Sequence, residues 1–87
     1  MNMPSGTQPE PGPFAVAIAA EIRKAMALHM ISGAQLARLT GRSQSYLSKR
    51  LRADSSFTAN DVADICTVLG EDLERLLVAA VRASRRP

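Results

Sequence analysis

The 87-residue sequence predicts an all-α fold, a compact bundle of five helices that includes a helix-turn-helix. Three observations carry that prediction. Apolar residues recur at helical spacing through successive stretches of the chain. Ser32, Ser43 and Thr58 stand where an N-cap oxygen would catch the free amides of a first helical turn. Gly41 and Gly70 stand where a helix would stop on a residue of positive φ.

Each element follows in order. Residues 1–12 form a tail: four of the five prolines lie between Met1 and Pro13, which works against regular structure. The tail has no Lys or Arg and one acid, Glu10, so it is a poor arm for wrapping a polyanion. The folded domain is expected over 13–84, with a short basic end at 85–87. Its first helix starts near Pro13, a good first-turn residue, and runs to about Met30. Phe14, Ile18, Ile22, Ala25, Met26 and His29 make one face of it.

The second helix is about Gly33 to Thr40 and the third about Gln44 to Ala53, so the helix-turn-helix occupies about 32–53. Asp54-Ser55-Ser56 then turns the chain, and Thr58 with Asp61 forms a capping-box-like start for the fourth helix. Phe57 is placed to staple onto Val62; Val62, Ile65, Cys66 and Leu69 make the inner stripe. The fifth helix begins around Glu71-Asp72 and ends in Arg82, Arg85 and Arg86, acids and bases at the ends that suit its dipole. Leu73, Leu76, Leu77 and Ala80 complete the core, while Leu77, Val78 and Val81 extend an apolar surface suited to a second copy of the chain.

Composition narrows the function. One small domain of this length has no room for a deep enzyme pocket, and nothing in it has the spacing of a nucleophile–base pair, a phosphate loop or a metal cluster. No catalytic residue, metal site or cofactor is expected. The lone Cys66 excludes an internal disulfide. Three aromatic residues, Phe14, Tyr46 and Phe57, are too few for a base-stacking platform. No run of about 18 apolar residues or signal-peptide pattern appears, so a cytoplasmic, nucleoid-associated protein with no membrane partner is expected.

The net charge of +3 matters less than its layout. Between Ile22 and Ala53 lie Arg23, Lys24, Arg38, Arg42, Lys49, Arg50 and Arg52 with no acid; between Asp54 and Glu74 the sign reverses completely. Such a chain orients its basic half toward a polyanion. With Leu47 and Leu51 inward, Gln44, Ser45, Ser48, Lys49 and Arg52 face outward from the third helix, the layout that places a helix in the major groove of double-stranded DNA.

The run Ser32-GAQLARLTG-RSQSYLSKRL, with the Phe57-Thr58 start and the Leu69-Gly70 stop that follow, resembles the Cro/repressor-type (XRE) helix-turn-helix family. The resemblance implies a lambda-repressor-like bundle, an operator-binding transcriptional regulator of a phage or bacterium, and often a homodimer. It implies base contacts from Gln44, Ser45 and Lys49, with Gln44 reading adenine, and a phosphate contact from Arg52. Ser48 joins the base-contacting set from the outward face. Gln35, Arg38, Arg42, Ser43, Tyr46 and Arg50 are expected to hold the DNA backbone. Two departures from the family pattern stand out: Gly33 stands where members often carry Gln, and Arg50, Leu51 and Ala53 stand where they usually carry Trp or Ile, then Glu, then Gly. The other functions these residues leave open are an antitoxin or recombination accessory factor, and a helical module that docks a protein partner through the fifth helix.

Overall fold

The computed structural model describes residues 9–86. Most of the expected tail and the last residue of the basic end lie outside that range. Within it the chain forms five helices: α1 (Pro13–His29), α2 (Gly33–Thr40), α3 (Gln44–Leu51), α4 (Ala59–Leu69) and α5 (Leu73–Ser84). No strand occurs among the described residues.

The caps act as their residue types dictate. Ser32 Oγ accepts from the Gln35 amide, and Gln35 Oε1 accepts from the Ser32 amide, closing a capping box at the start of α2. Ser43 caps α3 through the Tyr46 amide. Thr58 and Asp61 close a second box on α4, and Asp72 caps α5. Gly41 sits at φ 68°, a left-handed conformation that costs a glycine little, and it sets the turn between α2 and α3.

Two helix ends differ from expectation. α3 stops at Leu51 instead of continuing to Ala53, because Ala53 adopts φ 62° and donates its amide back to Arg50 O. A non-glycine residue holds this left-handed conformation at a modest steric cost. α5 starts at Leu73, just after the expected Glu71-Asp72, since Asp72 is spent as its cap.

The core is built from Ile22, Ala25 and Met26 of α1, Leu36 and Ala37 of α2, Leu47 of α3, Val62, Ile65, Cys66 and Leu69 of α4, and Leu76 of α5. Ile22, Leu36, Leu47 and Ile65 are completely shielded, and each such side chain is worth about 1.5–3 kcal/mol of burial. α1 lies chiefly along α5, while α2 bridges α3 and α4. The expected inner stripe of α4 is buried throughout. The expected face of α1 is only partly so. Phe14 remains 43% exposed and His29 lies at the surface, its Nε2 donating to Glu71 Oε2 at 2.6 Å. Phe14 instead lines a surface cleft with Ile18, Phe57, Val62 and Leu77. Burial raises the thiol pKa of Cys66, with Glu71 and Asp72 adding to the shift, so it is an inert core residue.

Candidate nucleic-acid interface

The three faces of α3 have different occupations. At about 100° per residue, positions 44, 45, 48, 49 and 52 fall within roughly 140° of one another, and positions 46 and 50 fall nearly opposite. Leu47 points into the core between them.

On the outward face Gln44, Ser45 and Lys49 are exposed and Ser48 is half-buried. Among the described residues none of their side chains has a hydrogen-bond partner within the chain. They are held out by a helix whose other faces are anchored, so their polar groups are free for a ligand. The chemistry on offer is two amide hydrogens and an amide oxygen from Gln44, two hydroxyls and one ammonium. That set suits the donors and acceptors of base edges in a major groove. A side chain at Gly33 would meet nothing within 4 Å, so packing does not demand the glycine there.

The expected backbone contacts divide into two groups. Arg38 and Arg52 are exposed, flanking the outward face; Arg52 Nε donates to Asp54 Oδ2 at 3.0 Å in a pair open to water on both sides. Such a pair is weakly held and exchanges readily for a phosphate. Ser43 is exposed with its oxygen used as a cap, and Gln35 uses its Oε1 in the same way, leaving its two amide hydrogens available.

Arg42, Tyr46 and Arg50 are occupied differently. Each was expected at the DNA backbone, and each turns inward to the buried carboxylate of Asp61, which is only 2% exposed. Arg42 Nε donates to Asp61 Oδ1 at 2.7 Å, its Nη2 to Asp64 Oδ2 at 2.8 Å and its Nη1 to Thr40 O at 2.9 Å. The Tyr46 hydroxyl donates to Asp61 Oδ2 at 2.8 Å. Arg50 lays its guanidinium 3.5 Å from the centroid of the Tyr46 ring, donates to Tyr46 O, and keeps its Nε 4.0 Å from Asp61. Arg42, the Tyr46 hydroxyl and the Thr58 amide therefore converge on one carboxylate, with Arg50 stacked on the Tyr46 ring beside it. Burial would raise the Asp61 pKa, but the Thr58 amide, the Tyr46 hydroxyl and Arg42 together outweigh it and hold the group below the usual carboxylate range. Asp64 and Asp61 in turn raise the Arg42 pKa above its ordinary value, and burial followed by the Asp61 bond raises that of Tyr46.

One further tie was not foreseen. Arg23 of α1 donates through Nη1 to Leu51 O at the end of α3, satisfying a carbonyl that the helix leaves free.

This geometry is joined by a match over most of the domain: the helix-turn-helix family model covers residues 22–76. The chain belongs to the helix-turn-helix family. The Cro/repressor-type resemblance seen in Ser32 to Leu51 is thereby borne out, and membership makes this a DNA-binding transcriptional regulator in kind. The crystal structure of the clp gene regulator ClgR from Corynebacterium glutamicum has a similar fold. It matches with a TM-score of 0.75 and 26% identity over 87% of this chain and 80% of that one. A second crystal structure of ClgR from C. glutamicum matches with a TM-score of 0.73 and 25% identity, over 79% of this chain and 90% of that one. No curated protein matches the sequence. Among the described residues this helix-turn-helix protein has no helix long and apolar enough to cross a membrane, and no group of three or more His, Cys, Asp or Glu able to hold a metal ion.

Proposed function

We propose that this protein is a sequence-specific operator-binding regulator, of the phage or bacterial repressor kind, that reads double-stranded DNA with α3 in the major groove. The observation that carries the reading is the outward face of α3: Gln44, Ser45, Ser48 and Lys49 make no internal bond on a helix whose remaining faces are fixed. In this arrangement Gln44 pairs with adenine N6 and N7, Lys49 donates to guanine O6 and N7, and Ser45 and Ser48 serve the base edges between. Arg38, Arg52 and the amide of Gln35 hold phosphates and set the register. ClgR is named as a regulator of clp genes, which accords with a regulatory role without indicating which genes this chain serves.

The same reading makes the protein a homodimer through α5. Leu73, Leu77, Val78 and Val81 line a shallow apolar groove with Glu74 toward one end and Arg82 and Arg85 at the other. Two such helices crossing antiparallel bring Glu74 of each copy toward the basic end of the other. A dimer reads two half-sites about one helical turn apart, which supplies the affinity that one small domain lacks.

The test is a binding-site selection from random duplex DNA, with the bound species sized at two salt concentrations. A palindromic consensus bound by two chains supports the reading; binding that enriches no sequence and vanishes at moderate salt overturns it. Two substitutions then assign roles. Gln44→Ala is expected to cost about 1–3 kcal/mol on the selected site and to relax preference at one base pair; a repeated selection that returns the wild-type consensus would exclude it as a base reader. Arg52→Ala is expected to weaken all duplexes alike and to reduce the log–log salt slope by about one counterion. Coincident slopes for mutant and wild type would remove Arg52 from the phosphate set.

A further inference from the structure

The inner side of the helix-turn-helix gathers on Asp61, an acid that lies in neither of its helices, while Asp64 takes a further bond from Arg42. Asp61 is the third residue of α4, and its two oxygens receive Arg42 from the turn, Tyr46 from the first half of α3 and the Thr58 amide from the α4 cap. Arg50, one turn beyond Tyr46, closes over the Tyr46 ring and completes the stack. No Cα atom of α3 lies within 8 Å of one in α4, so these two helices are joined through side chains alone.

We propose that Asp61 is a positioning residue for DNA reading: it fixes the rotation of α3 about its own axis and so the aim of Gln44, Ser45 and Lys49. The inference rests on the operator-binding reading given above and adds to it a residue that touches no DNA.

The physical reason is a difference between two kinds of restraint. Leu47 anchors α3 by apolar burial, which is non-directional and sets how deep the helix sits. A short helix held by apolar burial of Leu47 and the partly buried Leu51 still has freedom to roll. The bonds from Tyr46 and Arg42 are directional and lose strength steeply once bent, so they fix the roll. Base readout by a bidentate amide is itself strict in angle, whereas attraction of Arg38 and Arg52 to phosphates is not. Loss of the Asp61 restraint therefore lowers discrimination between sequences more than it lowers general duplex affinity.

The experiment compares wild type, Asp61→Asn and Tyr46→Phe on the selected operator and on a scrambled duplex of equal length, well below each protein's Tm. Asp61→Asn keeps the shape but loses the charge and one acceptor. Tyr46→Phe removes a single oxygen, leaves the ring under Arg50, and serves if the first variant fails to fold. The ratio of operator to scrambled affinity is expected to fall about tenfold in Asp61→Asn and about threefold in Tyr46→Phe, as expected when a base-reading pair is misaligned. Affinity for the scrambled duplex should change less than about twofold. In the free Tyr46→Phe protein the backbone amide resonances of Gln44, Ser45 and Lys49 should shift. Folded variants that melt earlier but keep the wild-type ratio and the wild-type resonances at those positions would overturn the proposal, leaving Asp61 a stabilising residue only. A wild-type protein that does not distinguish operator from scrambled duplex would overturn the operator-binding reading itself, and the inference with it.

Discussion

Asp61→Ala is expected to lower the free energy of unfolding by about 3 kcal/mol. The substitution strips the acceptor from the Tyr46 hydroxyl and the Thr58 amide, and removes one of the two carboxylates that hold Arg42. Arg50 Nε, already buried without a hydrogen-bond partner, loses its nearest counter-charge as well. The estimate sits at the low end for a broken buried pair, because the Arg42 side chain is 18% exposed and keeps Asp64. For a domain this small the loss corresponds to a fall in Tm of more than about 10 °C. The effect has a defined pH signature. The folded-state pKa of Asp61 lies below its unfolded value, so its contribution is fully present above about pH 4 and is lost as pH falls through the lowered value. The stability gap between wild type and Asp61→Ala should thus be constant from neutral pH down to about pH 4 and narrow below it. Urea unfolding at a series of pH values measures that gap; a gap that stays unchanged into strong acid would show that charge at Asp61 contributes nothing.

Much of this architecture was legible because its signals are local. Ser32, Ser43 and Thr58 cap through bonds to amides three residues on, and Gly41 and Gly70 end helices by backbone conformation alone. Neither depends on distant packing, so α2 was placed with both ends correct. The end of α3 is not legible in the sequence because the left-handed stop falls on Ala53, a residue whose type does not announce that conformation. On α1, apolar residues occur around much of the helix, and only its packing against the other helices decides that Ala17 and Ala19 are buried while Phe14 and Leu28 are not.

The Asp61 network is hidden from the sequence for a different reason. In the sequence Asp61 reads as a capping residue and Arg42, Tyr46 and Arg50 as parts of a basic surface, and no local pattern connects them. A signal was present all the same. Tyr46 and Arg50 stand four residues apart on the side of α3 away from Gln44, and Arg42 lies in the turn just before the helix. Basic residues on the side turned from the groove need a buried or partly buried acid, and the acid nearest in the fold had to come from α4. Charge sign along the chain therefore described two functions at once: part of the basic half is turned to solvent, and part neutralises the acidic half internally.

Val78→Asp is expected to reduce affinity for a two-half-site operator about 100-fold while leaving affinity for a single half-site unchanged. The choice of residue follows from burial. Leu77 packs against the core as well as lining the α5 groove, so its loss would confuse folding with assembly. Val78 is 42% exposed, lies outside the core cluster, and lines the same groove. A carboxylate there is free in the monomer but must be desolvated against apolar groups when two α5 helices meet, an expense that a surface pair does not recover. DNA-reading residues lie on α3 and are untouched, so half-site binding is an internal control for the fold. Sedimentation and binding to full and half-site duplexes, performed on both proteins, separate the outcomes. If Val78→Asp binds the full operator as wild type does, α5 is not the surface through which two copies cooperate. If it binds neither duplex, the α5 surface contributes to the fold and not only to assembly, since no residue of the groove faces DNA in this arrangement.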